Sequence, residues 1–312
     1  MKTLTVISPV LNEEAVIAGF FADLSAVLKS LEDRYQWRIL FVVDRCGDRT
    51  LEILKGLAAE EKRIQILALS SRFGHQMSLL AGIDHCHSDV AVMMDCDLQH
   101  PPELIPEMLR HYEDGYDVVY TVKADYSATA SARRVTSRIY YWVLQRLSSS
   151  AIYANASDFT LISCRVVELF QEKIRERTLF LRGLIAWVGF PHTAVSFKVN
   201  PRLGGESKYN MSSMLRLALH GMLSFSKKPL RLASMIGLTF AGLGFLYGAY
   251  VLVNYFMTDD LPPGWTALAM LVAVFSGIQL IFLGVIGEYI GAIFDEVKAR
   301  PHYIIEETMN FE

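Results

Sequence analysis

Val90-Ala-Val-Met-Met-Asp95-Cys-Asp97-Leu-Gln99-His-Pro-Pro-Glu103 is a short apolar run that stops on two acids and then on a proline pair. A continuous apolar run of this length, closed by turn residues, fits a strand buried on both faces, and such strands belong to parallel sheets covered by helices. Four further runs read the same way: Leu4 to Val10, Arg38 to Val43, Ile64 to Leu69 and Val118 to Val122. Amphipathic stretches of helical length separate them, among them Glu13 to Leu31 and Thr50 to Glu61. The alternation predicts an α/β fold over residues 1–200, a Rossmann-like, mostly parallel sheet with helices on both faces.

In such a sheet the ligand sits beyond the carboxyl ends of the strands. Those positions are acidic here: Asn12-Glu13-Glu14 after the first run, Asp44-Arg45-Cys46-Gly47-Asp48 after the second, Asp95 and Asp97 after the fourth. A phosphate cannot sit among several carboxylates unless a divalent cation screens the repulsion, and Mg²⁺ or Mn²⁺ takes carboxylate, amide and phosphate oxygens together. If the segment stays extended, Asp95, Asp97 and Gln99 share one side of it, because side chains alternate with a period of two. The competing reading is that these acids cap a helix starting at Pro101-Pro102-Glu103. His75 and His100 read as structural or helix-start residues, and His85 and His87 lack further ligands at zinc spacing.

The chain has 312 residues, 52% hydrophobic and 20% charged, with a mean hydropathy of +0.27. That is too apolar for disorder or for an ordinary soluble enzyme. The excess lies near the end, where Ala233 to Met257 and Trp265 to Gly287 are uncharged apolar runs, each long enough to cross a hydrocarbon core. Lys227, Lys228 and Arg231 precede the first run and Lys298 and Arg300 follow the second, while the turn between has no Lys or Arg, which predicts a two-helix transmembrane hairpin with both ends cytoplasmic. Residues 211–226 show helical apolar spacing and read as an interfacial helix or as one packed on the α/β domain. The expected organisation is a cytosolic catalytic domain at 1–200, an acceptor loop and juxtamembrane helix at 201–230, two spans at 231–292, and a cytosolic tail at 293–312.

A net charge of −3 offers no broad basic surface, so no nucleic-acid partner is expected. The four cysteines form no CxxC pair and read as reduced thiols. The first residues do not read as a secretory signal, because acids arrive too soon.

Ser8-Pro-Val-Leu-Asn-Glu-Glu14, Asp95-Cys-Asp-Leu-Gln-His-Pro-Pro-Glu103, Ser157-Asp-Phe-Thr-Leu-Ile162, Gly205-Glu-Ser-Lys-Tyr209 and the two terminal spans together resemble the family-2 inverting glycosyltransferases acting on polyprenyl phosphate, such as bactoprenol glucosyltransferases and dolichol-phosphate mannose synthases. The resemblance implies a GT-A fold, a nucleotide-sugar donor with UDP-glucose foremost, a divalent cation (Mg²⁺ or Mn²⁺), a polyprenyl phosphate acceptor at the membrane face, and a tendency to form homo-oligomers. It places Pro9, Asn12, Glu14, Asp44 and Asp95 at the nucleotide, Asp95, Asp97 and Gln99 at the metal, and Asp158 facing the anomeric carbon. Relatives usually carry Val-Asp-Asp-Gly-Ser after the second strand where this chain has Val42-Val43-Asp44-Arg45-Cys46. Arg45 reads as a phosphate contact or as a surface charge.

The acceptor phosphate needs cations near lipid. Arg133, Arg134 and Ser137 begin an amphipathic helix, and Arg202, Ser207 and Lys208 lie in a glycine-bearing loop ahead of the juxtamembrane segment. Two other readings compete. A processive polysaccharide synthase would carry a Gln-x-x-Arg-Trp motif and usually more spans, and this chain has neither; an inert nucleotide-sugar sensor is prompted by the altered segment after the second strand.

Overall fold

The computed structural model describes residues 1–123, 156–177, 179–197, 228–258 and 264–311. The chain divides into two compact units, one built from residues 1–141, 150–210 and 300–312, the other from 142–149 and 211–299.

The first unit carries one mixed sheet of order β7-β5-β6-β4-β1-β2-β3-β8. Its centre is parallel: β1 (Lys2–Val10) lies between β2 (Tyr35–Val43) and β4 (Val90–Met93), and β3 (Ile64–Leu69) pairs with β2. The connecting helices are α1 (Ile17–Lys29), α2 (Thr50–Glu60) and α3 (His75–Asp84). The expected parallel core is present. The additions are antiparallel: β6 (Ala156–Ser163) joins β4 to β5 (Val118–Lys123), and β8 (Ile305–Met309) joins β3, while β7 (His192–Phe197) runs parallel to β5. A short 3₁₀ turn at Pro102–Leu104 leads into α4 (Ile105–Glu113), and α5 (Cys164–Glu172) and α6 (Leu181–Trp187) follow β6.

The core explains why these strands form. Leu4, Val6, Ile7, Ile39, Leu40, Phe41, Ile64 and Val92 are all inaccessible to water or nearly so, and each such side chain contributes about 1.5–3 kcal/mol by its burial. Pro9 is tolerated in a central strand because the β1–β4 ladder has already ended at Ile7 and Met93. Gly82 sets how closely α3 approaches: a Cβ there would lie 2.2 Å from Ile7 Cγ2 and 3.2 Å from Val42 Cγ2. The chain turns from β3 on one side of β1 to β4 on the other, so the carboxyl ends of β1 and β4 form the switch point where α/β sheets bind ligands.

β8 is a strand that the sequence reading does not anticipate. Ile-Glu-Glu-Thr-Met is short and acidic, and its partner β3 lies far away in sequence.

In the second unit, α7 (Lys228–Thr258) and α8 (Trp265–Lys298) are apolar around their circumference. Leu238, Phe245, Phe256 and Leu280 are each at least two-thirds exposed, and Phe240 meets Phe275 edge-on at 6.1 Å. Helices that are long, apolar and bare suit lipid rather than water. Ala299, at φ 48°, ends α8 in the left-handed conformation.

Candidate active site

The register of β4 on β6 builds the site. Met93 lies opposite Thr160 at the end of the antiparallel ladder, which brings Asp95, two residues beyond Met93, close to Asp158, two residues before Thr160. Asp158 lies within β6. His75, the first residue of α3, reaches Asp95 with Nε2 2.8 Å from Oδ1. Donor atoms of His75, Asp95 and Asp158 all fall within 4.8 Å of one another. Arg182, the second residue of α6, grips Asp158 through Nε to Oδ1 and Nη2 to Oδ2, both at 2.5 Å, and also donates to the Ala156 carbonyl at 3.1 Å.

Neighbouring groups fix these side chains. The Asp95 N–H donates to His100 Nδ1 at 3.3 Å, and buried His100 places Nε2 2.7 Å from Ser157 Oγ while stacking on Phe159. His100 therefore joins the Asp95 turn to the strand bearing Asp158. Gln76 Oε1 accepts the Leu181 N–H at 3.0 Å, which ties the first turn of α3 to the start of α6.

Charge follows this geometry. Burial pushes the Asp95 carboxyl up, but the His75 hydrogen bond and the charges of His75, His100 and Arg182 outweigh it and hold Asp95 down at about 2. Burial likewise works against a charged His75, yet the bond to Asp95 and the charges of Asp95 and Asp158 raise it above its usual value. Burial, with Glu13, Asp95 and Asp97 adding negative charge, pushes the Cys96 thiol far up, so it is an apolar filler.

The other expected site residues take varied places. Asp97 is partly buried, and its Oδ1 accepts the Gln99 N–H at 3.1 Å in a tight turn whose central Leu98 has φ 60°. This turn corrects the extended reading for Gln99: a left-handed residue between Asp97 and Gln99 breaks the period of two that put Gln99 on the side of Asp95 and Asp97. The helix-capping alternative also ends, since Pro101 precedes the 3₁₀ turn without a side-chain cap. A bulky residue held at positive φ is strained and points to a functional turn.

Asp44 is 2% exposed, and its two oxygens accept the Phe73 and Gly74 N–H groups at 2.9 Å. It is thus a strut between the end of β2 and the loop leading to α3. Asn12, at φ 55°, accepts the Gly47 N–H at 2.8 Å, and Glu14 Oε2 accepts the Arg49 N–H at 3.0 Å. The loops after β1 and β2 are therefore latched to each other at this edge. Pro9 is buried in β1 with its carbonyl turned toward Cys96 Sγ at 3.6 Å. Arg45 is exposed and donates to the Ser70 carbonyl at 2.8 Å. Arg133, Arg134, Ser137, Arg202, Ser207, Lys208 and the juxtamembrane segment lie outside the described residues.

Arg182 escapes the sequence reading, whereas His75, read as structural or helix-start, does begin α3 and in addition pairs with Asp95. A single cation inside Leu179-Phe-Leu-Arg182-Gly-Leu-Ile-Ala-Trp187 was the available signal, since a charge amid apolar residues requires a partner. The donor set fits a hard divalent ion in type, with the carboxylates of Asp95 and Asp158 and the imidazole of His75 gathered together and Asp97 two residues beyond Asp95.

Residues 5–170 match the family model for Glycosyl transferase family 2, and residues 228–293 match that for the GtrB C-terminal hairpin. The chain is 39% identical over 308 residues to the uncharacterized glycosyltransferase YkcC of Bacillus subtilis (strain 168), covering 99% of this chain and 94% of the relative. It is 35% identical over 305 residues to the SfII prophage-derived bactoprenol glucosyl transferase of Shigella flexneri, covering 98% of each. A looser likeness, with TM-score 0.48 and 19% identity over 72% of this chain and 78% of the other, is to glucosyl-3-phosphoglycerate synthase from Mycobacterium tuberculosis.

Proposed function

The chain belongs to glycosyl transferase family 2, with a sheet of the GT-A type, and on that premise we propose that it transfers a sugar, glucose from UDP-glucose foremost, to polyprenyl phosphate with inversion at the anomeric carbon. The observation that carries this reading is the meeting of His75, Asp95, Asp158 and Arg182 at the switch point of a family-2 sheet in a chain that also bears the hairpin match.

In the reaction a phosphate oxygen of the acceptor forms a bond to the sugar's anomeric carbon. The bond from that carbon to the donor diphosphate breaks, and the nucleoside diphosphate leaves with the electron pair. A phosphate monoester is already largely ionised near neutrality, so positioning and charge stabilisation dominate. Asp95 and Asp97 would hold a divalent cation, which when bound supplies Lewis-acid stabilisation of the leaving diphosphate. Asp158 faces the anomeric carbon and steadies the positive charge that develops there. Arg182 locks that carboxylate by a two-point contact that a lysine could not reproduce. Asn12, Glu14 and Pro9 border the nucleotide, and Asp44 acts on it through the loop it braces. Arg133, Arg134, Ser137, Arg202, Ser207 and Lys208 receive the acceptor phosphate.

The protein is placed in the cytoplasmic membrane as a two-span protein with its catalytic unit in the cytosol. The Lys and Arg flanks support this orientation, and so does β8: residues after α8 pair with β3, so both ends of the hairpin lead into the same α/β unit.

The test is incubation of the full-length protein in polyprenyl-phosphate vesicles with radiolabelled UDP-glucose. Label should pass to the organic phase and fail to do so with EDTA. Label that stays aqueous for every nucleotide sugar, while donor binding persists, would replace the transferase by a nucleotide-sugar sensor.

A further inference from the structure

The segment that follows α8 is built into the α/β unit at both ends of one helix, and that helix is α3. At the amino end, the Ile304 carbonyl accepts the Ser70 N–H at 2.9 Å. The Ser70 carbonyl in turn accepts Arg45 Nη1 at 2.8 Å, next to Asp44, whose carboxylate holds the Phe73 and Gly74 N–H groups. His75, which pairs with Asp95, and Gln76, which holds the start of α6, come immediately afterwards. At the carboxyl end, the Tyr303 hydroxyl donates to Asp84 Oδ2 at 2.8 Å while Arg175 meets Oδ1 at 2.6 Å. The His85 ring lies edge-on to both Tyr303 and Phe311, with centroids 6.1 Å away in each case.

The rest of the segment is anchored along the sheet. Asn310 Nδ2 donates to the Ala58 and Ile64 carbonyls, both at 2.8 Å, and Gln65 Nε2 donates to the Asn310 carbonyl at 3.3 Å. Asn310 sits at φ 60°, a conformation asparagine tolerates and most residues do not. A strand serving only to cover the edge of β3 would need the ladder alone. The contacts to Ser70, Asp84 and His85 lie beyond the ladder and all converge on α3.

From this bracketing of α3 we infer that residues 300–311 are a positioning element of the active site. By holding the Ser70–Gly74 loop and the far end of α3 in place, they set His75 against Asp95 and, through Gln76, Arg182 against Asp158. Tyr303, Asn310 and Arg45 are the positioning residues, and Arg45 thereby gains a role inside the protein. The inference rests on the reading of the α3 amino end as part of the donor site. It adds that donor affinity depends on the chain beyond the second apolar helix.

Full-length protein carrying Tyr303→Phe and Asn310→Ala together tests this, with Arg34→Ala as a control that breaks the exposed ion pair to Glu113. Hydrogen exchange at the Phe73 and Gly74 amides should speed up by about tenfold in the tail variant, since their opening follows the local free energy. The β1 and β2 amides and the control should not change. The donor KM should rise by roughly three- to tenfold with kcat held within about twofold. Arg45→Ala should raise the donor KM by itself, and combined with the tail variant it should add less than its separate effect, because both act on one loop. Should the double variant fail to fold, Tyr303→Phe alone serves, with the same amides read.

Unchanged exchange at Phe73 and Gly74 after the tail is loosened would overturn the inference, as would fully additive effects of Arg45→Ala and the tail variant. The exchange measurement needs no transferase activity, so a wrong assignment of the reaction would leave it intact and show itself in the absence of lipid product alone.

Discussion

Arg182 closes on both oxygens of Asp158 at 2.5 Å, and it does so from a helix whose first amide is held by Gln76 of α3. A bidentate guanidinium fixes the plane of a carboxylate as well as its position, which a point charge cannot do. Arg182→Lys should therefore keep the charge and lose the geometry, lowering kcat by on the order of 10–100-fold. Asp158→Asn should cost more, about 10²–10⁴-fold, with the donor KM changed far less. Steady-state kinetics on both variants reads the difference, and equal kcat for Arg182→Lys and the native protein would remove the positioning role.

A divalent ion would have two candidate donor sets that share Asp95. Asp97 offers a carboxylate, which Mg²⁺ and Mn²⁺ prefer, whereas His75 offers an imidazole already engaged with Asp95, and Asp158 is held by Arg182. Asp97→Asn should weaken Mn²⁺ binding by roughly 10–100-fold, and His75→Gln by less than about threefold. Water-proton relaxation titration of Mn²⁺ measures both, and the reverse order would move the ion to the His75 side.

The burial of His302 beside Arg177 and Arg175 predicts that docking of the C-terminal segment is sensitive to pH. Among the described residues the His302 Nε2 is buried without a hydrogen-bond partner, and burial first, then the charges of Arg177 and Arg175, pull its pKa below 6.5, with a hydrogen bond to the Arg175 backbone and the charge of Asp84 acting the other way. A folded-state pKa that lies below the unfolded value gives stability that is complete above the unfolded value and lost as pH falls below it. Between about pH 7.5 and about 5.5 the Ser70 and Gly74 amides should lose protection in the native protein, and His302→Gln should flatten that dependence. A profile identical in the variant would show that His302 takes no part.

Gly82 lets α3 lie directly on β1. A methyl group there would meet Ile7 Cγ2 at 2.2 Å, so Ile7 or the helix must shift. Gly82→Ala should lower stability by about 1–3 kcal/mol and also raise the donor KM, because the same helix begins with His75. Calorimetry alongside donor titration checks the pair, and destabilisation with an unchanged KM would separate helix packing from the site.

The parallel centre of the sheet was readable because its strands are continuous apolar runs, and each of the five expected strands appears close to where its branched residues lie. The site was readable only in part. Asp95 and Asp158 announce themselves as acids at strand positions, but their meeting depends on the β4–β6 register, which one sequence does not display. The period-two argument failed at Leu98 because a left-handed residue leaves no mark in the pattern of apolar positions. Asp44 reads as a ligand-facing acid, and its two oxygens also accept backbone amides from the loop before α3, a contact between distant segments that composition cannot reveal. β8 escaped notice because its strand character comes from the waiting edge of β3, not from Ile-Glu-Glu-Thr-Met itself.

The central claim is that a phosphate oxygen of a polyprenyl phosphate takes the sugar and a nucleoside diphosphate leaves. Mass spectrometry of the lipid and nucleotide products, formed by full-length protein in polyprenyl-phosphate vesicles with UDP-glucose, addresses it most directly. The account predicts a lipid heavier by one hexosyl group on a single phosphate, together with an equal amount of UDP. Release of UMP with a lipid pyrophosphate, or a soluble glucan with no modified lipid, would contradict it.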